Sequence, residues 1–329
     1  MRLASSFLAT LFLLGSPFAT FADEGGAATR LLVVSGLGGD DRFSEAFVLW
    51  ADTLVEAATA SGVAETVYLA EDPELSPRAS GKSGKDQVLE ALAALQEKSG
   101  PEDITWVVLI GHGSFRDGSS RLNLPGPDLT DRDYAAALDG FRGKIVFVNT
   151  ASASGGFLRS LAAENRVVVT ATKSPTQRNE SVFGGKFAEA FRESLADGDQ
   201  NGNVSVLEAF EYARQEVARH YETKNLMVTE QALLDDDGNG EGSNTPNALG
   251  SEESGGDGLL AARLELAGPT AASASGGRRA ELQDQLDQLR RQKDSLEPEV
   301  YESELERLLL EIARLDRQER GSADGEVPE

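Results

Sequence analysis

Five short apolar runs punctuate the first two-thirds of the chain: Leu31–Val34, Val67–Leu69, Trp106–Ile110, Ile145–Val148 and Val167–Thr172. Each is too short for a helix of its own and reads as a strand buried on both faces. Helical spacing fills the intervals. Phe47, Trp50, Ala51, Leu54, Val55 and Ala58 form one apolar stripe, with Ser44 available as N-cap, and Val88, Leu92 and Leu95 form another on a helix opened by Ser83. Further helices are expected near Asp131–Leu138 and from Gly156, flanking a polar excursion over Asp117–Pro127. Strands alternating with helices at this spacing predict an α/β fold with a doubly wound, mainly parallel sheet.

Ligands and chemistry in such sheets sit at the carboxyl ends of the strands. The Trp106 strand ends in Gly111-His112-Gly113-Ser114, and the Ile145 strand ends in a run of small and hydroxylated residues, Asn149 through Ser154. The two ends are expected to be neighbours, which would bring one of only two histidines beside a serine-rich turn. Two glycine-rich turns imitate phosphate motifs and fall short. Ser35–Gly39 lacks the full dinucleotide spacing, and the glycine required upstream of Gly81-Lys82-Ser83 is replaced by Ser76.

After the fifth strand the chain runs through Lys173–Ser181 into a helix with Phe187, Phe191 and Leu195 on one face. Residues 197–208 then fit the pattern D-x-D-x-N-G-x5-E. Oxygens are offered by Asp197, Asp199, Asn201, Asn203 through its backbone, Ser205 and Glu208, with Gly202 at the sharp turn. This is the donor set of an EF-hand-like loop, and Ca²⁺ is the expected, structural ion. The competing reading is an acidic turn that merely caps the next helix, whose buried stripe is Leu207, Phe210, Ala213 and Val217. A shorter echo, Asp235-x-Asp237-x-Asn239-Gly240, lacks the closing glutamate because Pro246 stands there.

The remaining third is different in texture. Residues 243–277 are rich in Gly, Ser, Ala and acid and read as a flexible linker. Residues 278–320 carry two amphipathic runs separated by Pro298. Leu282, Leu286, Leu289 and Leu296 form one, and Tyr301, Leu305, Leu308, Ile312 and Leu315 the other, as in a helical hairpin or coiled coil. Leu309 and Leu310 widen the second stripe, so the hairpin is expected to dock onto this chain's own domain or self-associate with another copy. Residues 321–329 read as a disordered tail.

Composition narrows the function classes. Residues 1–22 have the charge, apolar run and exit of a secretory signal peptide, which places the product in the periplasm or outside the cell. Its removal takes away Arg2, so the net charge of −24 becomes −25. Nucleic acid is excluded as a partner by that charge, and no later run is long enough for a membrane span. With no cysteine, disulfides, thiolate metal sites and thiol nucleophiles are all absent.

The motifs His112-Gly113, Ala151-Ser152-Ala153-Ser154-Gly155, and Ala171–Ser174 through Arg178–Ser181 together resemble the legumain-type cysteine peptidases of the caspase–hemoglobinase fold. The resemblance covers roughly residues 31–229. It implies a caspase-like domain over 23–242, with His112 as general base and Ser152 where the family carries its nucleophilic cysteine. Gly111 and Thr150 stand where the family places acids that recognise substrate. A serine hydroxyl must lose its proton to a base that a third group orients, and only Asp117 lies near in sequence. Two functions follow from the resemblance: a degenerate peptidase that binds peptide or protein partners in its cleft, or a hydrolase using a Ser152–His112 dyad with the Gly113 and Ser152 amides as oxyanion hole. Ser154 is the alternative reacting hydroxyl.

Overall fold

The computed structural model describes residues 27–268 apart from 193–194 and 252–254, then 282, 285–286, 289 and 296–323. The expected signal peptide, residues 269–277 of the expected linker, most of the first hairpin helix and the tail beyond 323 lie outside the described residues.

The elements run β1 (Thr29–Ser35), α1 (Asp41–Ala60), β2 (Glu65–Ala70), β3 (Gly81–Lys82), α2 (Lys85–Lys98), β4 (Ile104–Ile110), β5 (Gly113–Arg116), β6 (Ser119–Leu122) and β7 (Leu129–Thr130). They continue with α3 (Asp131–Leu138), β8 (Lys144–Asn149), α4 (Gly156–Leu161), β9 (Arg166–Thr170), α5 (Phe183–Ala190), α6 (Val206–Thr223), β10 (Leu233–Asp235) and α7 (Pro298–Ala323). The main sheet has the order β10-β9-β8-β4-β1-β2-β3. All its pairings are parallel except that of β10 with β9. Strand order reverses at β1, so the crevice between the ends of β1 and β4 is the topological switch point.

Alternate residues of β1 and β4 point to opposite faces, and each face has its own core. Leu31, Val33, Trp106 and Val108 pack with α1, α5 and α6, while Leu32, Val34, Val107 and Leu109 pack with α2, α3 and α4. The sheet is therefore covered on both sides, which is why the five strands read as continuous apolar runs. No helix among the described residues is long and apolar enough to cross a membrane.

Several local details differ from the sequence expectation. The N-cap of α1 is Asp40, whose carboxylate accepts from Phe43 N, while Ser44 Oγ instead donates to Glu71 at 2.9 Å. Ser83 lies ahead of α2, which Gly84 caps without a side-chain bond. The helix carrying Phe187 stops at Ala190, and Leu195 is exposed. The polar excursion contains β6 of a three-stranded antiparallel sheet, β5-β6-β7, whose strands are too short and too polar to show period-two alternation.

The expected linker is a larger correction. Over residues 243–268 the chain is tied to the domain. Val206 N donates to Leu264 O, Leu234 exchanges two backbone bonds with Ser243, and Leu264 and Leu266 enter the core beneath α6. Asp236, buried, accepts from Gly258 N at 2.9 Å and Ala261 N at 2.8 Å. The glycines there serve tight turns, and the patch Leu259–Leu266 supplies the anchor. Leu264→Ala is expected to cost about 2–5 kcal/mol in urea unfolding, the range for truncating a buried leucine. A flexible linker would make that substitution neutral.

Candidate functional site

Strands β4 and β8 pair in register from Ile104–Lys144 to Leu109–Asn149, so their carboxyl ends emerge side by side. The turn after β4 carries His112 and Gly113, and the turn after β8 carries Ser152. They meet through the backbone. Gly113 N donates to Ser152 Oγ at 3.2 Å, and Ser152 Oγ donates to Gly113 O at the same distance. A Cβ at Gly113 would lie 2.0 Å from the carbonyl oxygen of Ser152, so only glycine permits this approach.

The rest of the serine turn is held just as closely. Ala153 has φ 55°, a left-handed conformation disfavoured by about 1–2 kcal/mol for a residue with a Cβ. Its N–H donates to Gln177 O at 2.7 Å, and its carbonyl accepts from Ser120 Oγ at 2.8 Å. The small sheet and the 173–181 loop thus grip the turn from two sides. Ser154 Oγ is buried against Thr172, sharing a hydrogen bond with Thr172 Oγ1 and accepting from Thr172 N. That hydroxyl joins the ends of β8 and β9.

His112 faces a different environment. Its ring stands edge-on to Phe43 at 4.5 Å between centroids and to Phe47 at 5.3 Å, both from α1. Among the described residues its imidazole makes these ring contacts and no hydrogen bond or ion pair. The carboxylate of Asp117 pairs with Arg121 at 3.3 Å and is almost fully exposed. At the outer lip, Arg42 lies over the Phe43 ring at 4.3 Å and reaches Glu180 at 3.8 Å, linking α1 to the 173–181 loop. That loop is anchored by Glu230, a buried carboxylate 49 residues beyond Ser181. It accepts from Ser181 Oγ at 2.6 Å, Val182 N at 3.0 Å and Phe183 N at 3.2 Å, and from the Tyr221 hydroxyl at 3.1 Å. No local motif marks Glu230. Its only sequence signal is an acid within the polar run that follows α6.

The 197–208 loop brings carboxylate oxygens of Asp197, Asp199 and Glu208 within 4.8 Å of one another. Asp197 accepts from Asn201 N and Gly202 N, and Asn201 Oδ1 accepts from Asn203 N at 2.8 Å. Glu208 also closes a capping box, with Oε2 accepting from Ser205 N at 2.9 Å and Ser205 Oγ at 2.8 Å. The helix-cap reading and the cation-loop reading therefore share one carboxylate. Converging carboxylate oxygens of this kind are the ligand type that a hard cation takes.

No protein-family model matches the chain, and no curated protein does. Among solved structures it is similar to protein GSU0716 from Geobacter sulfurreducens, with TM-score 0.42 and 12% identity over 64% of this chain and 92% of that one. It is similar also to caspase-1 from Spodoptera frugiperda, with TM-score 0.42 and 10% identity over 64% of this chain and 87% of that one. The functional reading rests on the site itself.

A second acidic group forms where the sequence shows only half a motif. Asp235 and Asp237 are joined by Asp257, buried and 22 residues downstream of Asp235. Asp257 Oδ1 accepts from Asp236 N at 3.0 Å. Burial, and then repulsion from Asp236, Asp237 and Asp235, outweighs that bond and pushes the Asp257 carboxyl up to about 7. An unfolded aspartate titrates near 3.9, so the folded state holds the extra proton between those values. The resulting stability is present below about 4 and is lost as pH rises through about 7. In cation-free buffer the melting temperature should fall as pH rises from about 4 to about 7, and Asp257→Asn should flatten that slope. An unchanged slope in the variant would assign the pH dependence elsewhere.

Proposed function

We propose that this chain is an exported, legumain-like protein that keeps a peptidase cleft for binding a peptide or protein partner and does not hydrolyse it. The observation that supports this most directly is how the Ser152 hydroxyl is used. Its proton goes to the Gly113 carbonyl and one lone pair takes the Gly113 amide, with the side chain buried. The amide that an oxyanion would need is the same one. A reactive serine instead gives its proton to a base that a carboxylate orients. Here the imidazole is set by two phenyl rings, and among the described residues no carboxylate orients it.

The cleft still has what binding needs. Gly36 N bonds the Ile110 carbonyl at the ends of β1 and β4, His112 stands beside Phe43 and Phe47, and Arg42 and Glu180 set charge of both signs between α1 and the 173–181 loop. The alternative, hydrolysis by Ser152 with His112 as base, would require the serine to leave Gly113 and the ring to turn towards it.

A fluorophosphonate probe separates the two readings. The folded, secreted form should not be labelled, and a degenerate decapeptide library should yield binders that a His112→Trp variant loses. Labelling that disappears in both Ser152→Ala and His112→Ala would overturn the binding reading in favour of the hydrolase.

Residues 197–208 are read as a structural Ca²⁺ loop, on the convergence of Asp197, Asp199 and Glu208. Bound calcium would stabilise the folded state by mass action and leave the cleft chemistry to the protein's own groups. EDTA should lower the melting temperature, Ca²⁺ should restore it, and Asp197→Ala should abolish the difference. Identical melts with and without chelator would remove the ion.

A further inference from the structure

Helix α7 has two apolar faces, and the hairpin uses only one. Tyr301, Leu305, Leu308 and Ile312 close onto Leu282, Leu286 and Leu289. About a third of a turn around the cylinder, Leu309 and Leu310 are 46% and 49% exposed, and they form a shallow groove with Glu302, Leu305 and Glu306. Two adjacent leucines on an exposed helix face in so acidic a chain call for a cover.

The charges along this face indicate what covers it. At 100° per residue, positions 299, 302 and 306 fall on the Leu309–Leu310 face N-terminal to the leucines, and all three are glutamate. Positions 313, 317 and 320 fall on the same face C-terminal to them, and are alanine, arginine and arginine. The face is therefore acidic, then apolar, then basic. It is complementary to itself only when turned end for end.

We propose that a second copy of this chain covers it, through an antiparallel two-fold contact of α7 with α7 centred between Leu309 and Leu310. In that register position 302 faces 317 of the other copy and position 299 faces 320. Each Glu–Arg pair occurs twice by symmetry. The leucines of both copies meet at the axis, and two hairpins join as a four-helix bundle with the α7 helices in contact. A parallel pairing would instead set glutamate against glutamate and arginine against arginine.

The test is sedimentation equilibrium on the full secreted chain up to about 100 µM, a range that captures micromolar dissociation constants. The expected result is a monomer–dimer equilibrium. Leu309→Glu with Leu310→Glu should abolish the dimer with far-UV circular dichroism unchanged. Either Glu302→Arg or Arg317→Glu alone should weaken it at least tenfold, since both set like charges opposite each other twice over. The two reversals combined in one chain should restore it, which a merely structural role for either residue would not produce. A single-chain mass at every concentration overturns the proposal. If the leucine variant melted lower at concentrations where the parent chain is monomeric, the chain's own body would be the cover, and the proposal would fall. A dimer that ignores the leucine variant, or single reversals that the double does not rescue, overturns it as well.

Discussion

The close passage of Gly113 beneath Ser152 is the contact on which the functional region depends. Two parallel strands end at the same level, and the chain leaving one must turn across the chain leaving the other. Glycine lets the backbones meet, and the serine hydroxyl, bonded to both the amide and the carbonyl of Gly113, fixes them there. The small sheet begins at that glycine, so β6 lies where Ser120 can hold the Ala153 carbonyl. From one backbone crossing follow the strained serine turn, the position of the 173–181 loop above it, and the placing of His112 against α1.

Without disulfides, the loops around this crossing are tied by carboxylates that accept backbone N–H groups. Glu71 holds Gly38 N at 3.0 Å, Glu230 holds the start of α5, Glu208 holds Gly198 and Ser205, and Asp236 holds Gly258 and Ala261. Asp103 does the same at the opposite end of the sheet. Burial alone would raise its carboxyl, but the amides of Gly100 and Ala28 and the Arg30 guanidinium hold it below the ordinary range. Charge-assisted bonds of this kind are stronger than neutral ones and need no long side chain to be ordered. Part of the acidic excess is therefore structural.

How much of this was legible in the sequence depended on how local each signal was. The five buried strands, α3 over Asp131–Leu138, and the stripe of α6 follow from short-range periodicity, and the structure has them where the pattern puts them. The meeting of Gly113 with Ser152 followed from strand order in an open sheet, whereas the turning of the His112 ring to Phe43 and Phe47 did not. What the sequence hid was long-range. Glu230, Asp257 and the anchoring of Leu264 all join residues that no window spans together, and β5, β6 and β7 are strands only because the Gly113 turn pins the first of them. A stretch rich in glycine and acid reads as a linker until one sees which amides its neighbours' carboxylates take.

The identity of residue 152 bears on this as much as on chemistry. A hydroxyl is a good donor and acceptor, and at 3.2 Å from both groups of Gly113 it can serve each in turn. A thiol is a weak donor and a weak acceptor, and would leave the Gly113 amide short of a partner in a buried turn. Nucleophilic attack needs the same proton and lone pair that this bonding uses. The two roles compete, and among the described residues no carboxylate pairs with the His112 imidazole. A hydroxyl at this position thus stabilises the crossing by the same proton and lone pair that an attack would need.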